Sequence, residues 1–149
     1  MAKSHCNLLY HIVFSTKGRE PWLEGETLSR CHAYLGGAIR DEGGVALIVN
    51  GTSDHVHILA RLRQDHSVAD VVRDIKASSS GWFHRTFRRR AFAWQAGYGA
   101  FTVSFSQIGK VRAYIERQAE HHRRSDFKRE YVALLDKNGI EYDERYLWD

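Results

Sequence analysis

Segments with strand character alternate along this chain with segments of helical spacing, and their order constrains the fold more than any other feature. Leu8–Ser15 (LLYHIVFS) is rich in β-branched and aromatic residues and predicts a strand. Apolar residues at helical spacing then predict a helix over Thr27–Glu42. Val45–Val49 and His55–Leu62 predict two further strands, which form a hairpin whose turn is expected to begin at Asn50-Gly51.

The second half of the chain repeats the order of helix and strand. Ser67 is expected to cap a helix that reaches Phe87, with Asp70 three residues on as its capping-box partner. A strand is predicted over Tyr98–Phe105. Ser106 is expected to cap the helix that follows this strand.

The helix after Ser106 completes the pattern. Its expected inner stripe consists of five residues at helical spacing: Ile108, Val111, Ile115, Ala119 and His122. The tail from Lys128 to Asp149 is expected to hold a short helix and an irregular end. The order β-α-β-β-α-β predicts an α+β, ferredoxin-like split βαβ fold. Its antiparallel sheet of four to five strands would carry helices on one face, plus an extra C-terminal helix.

Composition limits the class of protein. With 149 residues, 43% of them hydrophobic, the chain is expected to form a single domain over residues 1–149. The formal net charge of +4 permits a nucleic-acid partner without requiring one. Cys6 and Cys31 form no CxxC pair, so neither a zinc knuckle nor a disulfide framework is indicated. Residues 7–14 are too few to span a membrane, so we expect a cytoplasmic protein without a membrane partner.

A histidine pair on the third predicted strand is the first chemical signal. Side chains alternate along a strand, so His55 and His57 point to the same face, with Cα atoms about 6.5 Å apart. Two imidazoles at that separation can hold one metal ion. A His-x-His pair is also common on the solvent face of a strand, so a third ligand is needed to decide.

Tyr114 and Gln118 are the second signal. Residues four apart on a helix are neighbours, so these two side chains share a face. A phenol beside a metal can act as a nucleophile, and the amide oxygen can be the third ligand. The alternative is that Tyr114 rests on the rim of the core while Gln118 is solvated.

Four segments in a fixed order extend these signals: DHVHILARL, SVADVVRDIKASSSGWF, FAWQAGYGAFTVS and VRAYIERQAEHH. This set resembles the single-tyrosine transposases of insertion sequences, named HUH for their histidine–hydrophobic–histidine motif. The group includes domesticated relatives that lie beside repetitive extragenic palindromes (REP). The resemblance runs from YHIVFSTKGRE near the start to IEYDERYLW at the end.

The resemblance implies a role for each of these residues. His55, His57 and Gln118 would be the ligands of a divalent metal ion, Mg²⁺ or Mn²⁺, and Tyr114 would be the nucleophile. Tyrosine attack conserves the energy of the phosphodiester, so a cut strand can be rejoined without ATP. The resemblance also implies a 5′-phosphotyrosine intermediate, a hairpin-forming single-stranded DNA substrate and a homodimer whose subunits share their active sites.

Basic residues near the end of the second predicted helix are the expected DNA-binding surface. The candidate phosphate contacts are Arg85, Arg88, Arg89, Arg90, Lys76, Lys17 and Arg19. A basic helix end is also a common solvated feature, so this assignment depends on where the side chains lie.

Other function classes fit parts of the sequence. An RNA-binding split βαβ domain would need aromatic residues on the sheet face, where His55 and His57 stand. A metal-dependent hydrolase would use the same histidines with water and without Tyr114. A domesticated DNA-binding regulator or REP-processing protein of the same fold would keep the motif.

Overall fold

The protein, a computed structural model described over residues 2–148, contains a four-stranded antiparallel sheet. Its strands are β1 (Leu8–Ser15), β2 (Val45–Thr52), β3 (His55–Leu62) and β4 (Gly99–Val103). Their spatial order is β2-β3-β1-β4, and every neighbouring pair is antiparallel. This is the split βαβ order, so the predicted α+β fold class is confirmed.

Five α-helices accompany the sheet in the part of the chain that the structure describes. They are α1 (Glu26–Asp41), α2 (Val68–Phe87), α3 (Ile108–Glu116), α4 (Gln118–His121) and α5 (Phe127–Lys137). Short 3₁₀ helices lie at Lys17–Arg19 and Phe105–Gln107. None of the helices over residues 2–148 combines the length and apolarity needed to cross a membrane.

The alternation of side chains divides the sheet into two faces with different partners. Ile12, Phe14, Val56 and Ile58 are fully buried on one face, in the core that includes apolar residues of α1 and α2. On the other face, a second cluster joins sheet residues to α5: Val13, Phe101, Phe127, Tyr131 and Leu135. Helices therefore cover both faces, and the C-terminal ones lie on the face of the histidine pair.

The predicted helix caps are partly correct. Ser67 caps α2, since its Oγ accepts a hydrogen bond from the backbone N–H of Asp70 at 3.1 Å. The Asp70 carboxylate bonds to Arg73 instead of completing a capping box. Ser106 is not a cap: it lies inside the 3₁₀ helix, and α3 begins after Gln107.

The hairpin turn lies further along than predicted. Asn50 and Gly51 belong to β2, where they pair with His57 and Val56, and the turn is formed by Ser53 and Asp54. The strands approach so closely here that a Cβ atom on Gly51 would lie 2.1 Å from the carbonyl oxygen of His55. Gly51 is therefore needed for strand contact rather than for a turn.

The predicted single helix after β4 is divided in two. Arg117, with φ −95° and ψ 19°, separates α3 from α4. The side-chain amide of Asn50 donates to the carbonyl oxygens of Ile115 (2.9 Å) and Glu116 (3.4 Å), which occupies carbonyls at the end of α3. As a result Gln118 turns inward and is buried, whereas Ala119, predicted on the inner stripe, is exposed.

Candidate active site

The two histidines of β3 lie side by side on the face covered by the C-terminal helices. His55 pairs with Ser15 and His57 with Val13, so both imidazoles project from a central strand of the sheet, near the end at which β3 begins. Both side chains are fully buried, and their ring centroids are 5.1 Å apart. A pair of surface histidines is thereby excluded.

Each histidine is held by its Nδ1 atom. His55 Nδ1 is 2.8 Å from Asp54 Oδ1 and 3.1 Å from Thr52 Oγ1. His57 Nδ1 is 2.8 Å from Nε2 of the buried His11 on β1. Partners of this kind fix the orientation of metal-binding histidines. Both Nε2 atoms consequently face the space under α3, α4 and α5.

Tyr114 and Gln118 reach the same space from the end of α3 and the start of α4. The Tyr114 ring centroid is 5.8 Å from that of His57. Gln118 is fully buried, and its Oε1 accepts hydrogen bonds from Nε2 of His55 at 2.9 Å and of His122 at 3.1 Å. One chain therefore brings together the four residues that the sequence singled out, and Gln118 is not solvated.

Glu130 of α5 was missed by the sequence analysis, although its carboxylate lies at the centre of the cluster. Its Oε1 is 3.0 Å from His57 Nε2 and 2.9 Å from His122 Nε2. Its Oε2 accepts hydrogen bonds from the hydroxyl group of Tyr114 and from Nε2 of Gln118. The available signal was a charged residue between Phe127 and Tyr131, on the apolar stripe of a helix.

The histidines differ in charge because their surroundings differ. Burial alone would lower the pKa of His55, but hydrogen bonds to Asp54, Glu130 and Gln118 outweigh it and raise the pKa to about 9. For His57, burial outweighs the contact with Glu130 and lowers the pKa to about 4. Without a metal, His55 is therefore protonated at neutral pH and His57 is neutral.

The acidic groups have opposite shifts. Burial would raise the pKa of Glu130, but hydrogen bonds from His122, His55 and His57 hold it well below its usual range. Burial and then the nearby charge of Glu130 raise the pKa of Tyr114 above its ordinary value. Glu130 is therefore ionised and Tyr114 is protonated at neutral pH. A phenol in this state needs a general base or a neighbouring cation before it can attack a phosphate.

The donor atoms suit a divalent ion. Among the described residues, the ligand atoms of His55, His122 and Glu130 all lie within 4.8 Å of one another. His57 is not part of that compact group, but its Nε2 contacts Glu130 directly. Buried imidazoles that converge on a carboxylate and an amide oxygen are a donor set that binds divalent metals.

The predicted phosphate contacts have different environments. Arg85, Arg88, Arg89, Arg90 and Lys17 are exposed. In the described part of the chain, none of these five cations has a carboxylate oxygen within 4.0 Å.

Two of the predicted phosphate contacts, Arg19 and Lys76, already interact with groups of the protein. The guanidinium carbon of Arg19 lies 5.3 Å from the centre of the Trp148 ring. Lys76 Nζ donates to the carbonyl oxygens of Gln95 (2.9 Å) and Gly97 (2.6 Å), so its ammonium group is used inside the protein.

Two comparisons with known proteins found similar sequences. A family model described as "Transposase IS200 like" matches residues 4–118. The ISDra2 transposase TnpA of Deinococcus radiodurans is 25% identical over 125 residues, covering 74% of this chain and 84% of that protein.

Two solved structures share the fold. A candidate transposase from Deinococcus radiodurans has a TM-score of 0.63 at 24% identity and covers 79% of this chain and 98% of its own. A REP-associated tyrosine transposase bound to a REP hairpin has a TM-score of 0.54 at 13% identity, covering 79% and 70%. At these identities the two structures support the fold alone.

Proposed function

The chain belongs to the family of IS200-like transposases, and on this premise we propose that it cuts and rejoins single-stranded DNA with Tyr114 as its nucleophile. The observation that carries the proposal is the meeting of Tyr114 with the histidine pair in one chain. The phenol and His57 contact the two oxygens of the same carboxylate, that of Glu130. A water-using hydrolase has no need for a partly buried phenol at this position.

The proposed reaction exchanges one phosphodiester for another. The Tyr114 oxygen forms a bond to the scissile phosphorus while the bond to the 3′ oxygen breaks, leaving a 5′-phosphotyrosine and a 3′-hydroxyl. The phenol proton leaves Tyr114, and the 3′ oxygen takes up a proton. Attack by a 3′-hydroxyl on the phosphotyrosine reverses these steps and joins the strands.

The metal-binding residues in this proposal are His55, His57 and Gln118. A divalent ion, Mg²⁺ or Mn²⁺, would supply Lewis-acid stabilisation of the phosphoryl oxygens when bound there. Asp54 and His11 keep the histidine Nε2 atoms directed toward the site. The α3 and α5 helices place the Tyr114 hydroxyl beside the same atoms.

The proposed substrate is a hairpin-forming single strand. The exposed arginines after α2 and the exposed Lys17 supply unpaired cations for a phosphate backbone. The backbone N–H of Lys17 donates to the carbonyl oxygen of Ala93 at 2.8 Å, so Lys17 lies beside the segment that follows these arginines. The relative that was solved with a REP hairpin supports the choice of a hairpin.

The assembly is a separate proposal. The resemblance implied a homodimer whose subunits share active sites. In this structure Tyr114 contacts Glu130 of its own chain, so a single chain can present the phenol and the histidines together. The homodimer stays a prediction.

The experiment is incubation of the chain with labelled single-stranded hairpin DNA from its own genomic flanks and Mn²⁺, followed by a denaturing gel. The wild type is expected to cut the DNA and form a covalent protein–DNA band. Tyr114→Phe is expected to lose the band and about 10³-fold or more of the cleavage rate, while DNA binding survives. Tyr146→Phe, at an exposed tyrosine in the C-terminal tail, is the matched control and should behave as wild type.

The outcomes separate the function classes. Cutting by Tyr114→Phe without a covalent band would identify a water-using hydrolase. Tight hairpin binding by the wild type with neither cutting nor adduct would identify a DNA-binding regulator instead of an enzyme.

A further inference from the structure

The side chain of Glu130 is only 1% exposed, yet it carries a carboxylate. Charged side chains are almost never buried this deeply unless they are paired or bind a metal. Three imidazole nitrogens surround its Oε1: Nε2 of His122 at 2.9 Å, of His57 at 3.0 Å and of His55 at 3.3 Å. The carboxylate therefore faces the same atoms that the proposed metal would face.

His122 shares this position. It follows α4, its side chain is 11% exposed, and its Nε2 lies 2.9 Å from Glu130 Oε1 and 3.1 Å from Gln118 Oε1. Its ring centroid is 4.4 Å from that of His55. His122 thus reaches Gln118 and Glu130 as closely as the histidines of the β3 motif do.

The spacing of these donors matches a coordination shell. Ligand atoms held at about 2.1 Å by one octahedral ion are about 3 Å from their nearest neighbours. The distances from the imidazole Nε2 atoms to Gln118 Oε1 and Glu130 Oε1 run from 2.9 to 3.3 Å. An ion that joins these donors requires small shifts of side chains, whereas the backbone is already in place.

We propose that Glu130 and His122 are metal ligands, so that α4 and α5 complete a site that the β3 histidines and Gln118 only begin. This inference rests on the metal site of the proposed function and adds an anionic ligand and a third imidazole to it. Two consequences follow. The chain binds its ion without DNA, because it does not depend on a phosphate for negative charge. The imidazole-rich set also favours Mn²⁺ or another first-row transition metal over Mg²⁺.

A different role for Glu130 makes the opposite prediction. A carboxylate that only balances the charge of the histidines would compete with the metal for them. Removing its charge would then leave Mn²⁺ affinity unchanged or increase it. A ligand role requires that the affinity fall.

The test is isothermal titration of the full chain with Mn²⁺, and separately with Mg²⁺, in the absence of DNA. We expect Glu130→Gln and His122→Ala each to weaken Mn²⁺ binding about 10-fold or more, and the wild type to bind Mn²⁺ more tightly than Mg²⁺. Glu120→Gln, on the exposed side of α4, is the matched control and should keep the wild-type affinity. The shift of the thermal midpoint on adding Mn²⁺ gives a second readout, which should shrink in the first two variants only.

Unchanged or tighter Mn²⁺ binding by Glu130→Gln overturns the proposal. If Glu130→Gln does not fold, as judged by circular dichroism, His122→Ala decides: unchanged Mn²⁺ affinity in that variant overturns the proposal. Failure here is distinct from failure of the proposed function. The covalent band with DNA tests Tyr114, whereas the Mn²⁺ titration without DNA tests Glu130 and His122.

Discussion

Asp54 and His11 each contact one histidine of the motif at Nδ1, the ring nitrogen that faces away from the site. Asp54 precedes His55 in sequence and lies 2.8 Å from its Nδ1, while His11 reaches His57 Nδ1 from the neighbouring strand. The group bound at one ring nitrogen decides how the other nitrogen is presented. At the scale of single residues, the motif is thus larger than its two histidines.

Replacing Asp54 with alanine tests this positioning role. Without the carboxylate, His55 loses the partner that orients its ring, so the Mn²⁺ concentration for half-maximal cleavage should rise about 10- to 100-fold. The measurement is cleavage of hairpin DNA across a Mn²⁺ series. Asp65→Ala, which removes only an exposed pair with Arg63, should leave the Mn²⁺ requirement unchanged. A wild-type requirement in Asp54→Ala would refute the role.

The break between α3 and α4 decides the shape of the site at the scale of elements. A continuous helix would place Ala119 toward the protein interior, as the periodicity of the sequence predicts. Instead the amide of Asn50 on β2 bonds to the carbonyl oxygens of Ile115 and Glu116, and the chain turns at Arg117. Gln118 then enters the cluster as the first residue of α4.

Asn50→Ala should weaken this junction. Loss of a partly buried hydrogen bond costs about 1 kcal/mol, which lowers the thermal midpoint by about 2–4 °C in a chain of this size. Cleavage should fall as well, since Gln118 is positioned by the break. Calorimetry of Asn50→Ala beside Asn7→Ala, an exposed asparagine that accepts from Arg61, makes the comparison. Equal midpoints for both variants would contradict the explanation.

At the scale of the whole molecule, the segment that follows the exposed arginines returns to the sheet beside β1. Thr16, directly after β1, forms an isolated bridge with Trp94, which brings the segment after α2 back to the sheet. Ser15 pairs with His55, so this end of β1 is also the end where the histidine motif begins. The segment after the arginines therefore reaches the end of the sheet at which the histidine motif begins, although α2 itself packs on the opposite face.

Combined replacement of Arg88, Arg89 and Arg90 by alanine should reduce the salt dependence of DNA binding. The slope of log K against log salt is negative, and each lost phosphate contact reduces its magnitude by about 0.7 for single strands. The magnitude should therefore decrease by up to about 2. Fluorescence anisotropy at several salt concentrations measures the slope. Arg145→Ala, which removes an arginine paired with Asp143, should keep it. An unchanged slope in the triple variant would place the DNA elsewhere.

Sequence patterns predicted most elements because those patterns are local. The bounds of β1 and β3 match the prediction, and the period of a strand places His55 and His57 on one face. The prediction of a turn at Asn50-Gly51 was wrong, because strand pairing outweighed the short-range turn signal. In that pairing Gly51 permits the close contact between β2 and β3. Lys76 was assigned to DNA from its charge alone, which does not show that backbone carbonyls already bind it.

By itself, then, the sequence determined the strand order, the histidine pair, Tyr114 and Gln118, since each follows from spacing over a few residues or from a resemblance of whole segments. Only the tertiary structure decided that Glu130 and His122 join them and that Asn50 bonds to the carbonyl oxygens where α3 ends. These contacts connect side chains far apart along the chain. The periodicity of a short segment predicts its secondary structure but not the distant residues that it contacts. Such meetings are set by how α3, α4 and α5 pack on the sheet, where burial makes each polar group find a partner.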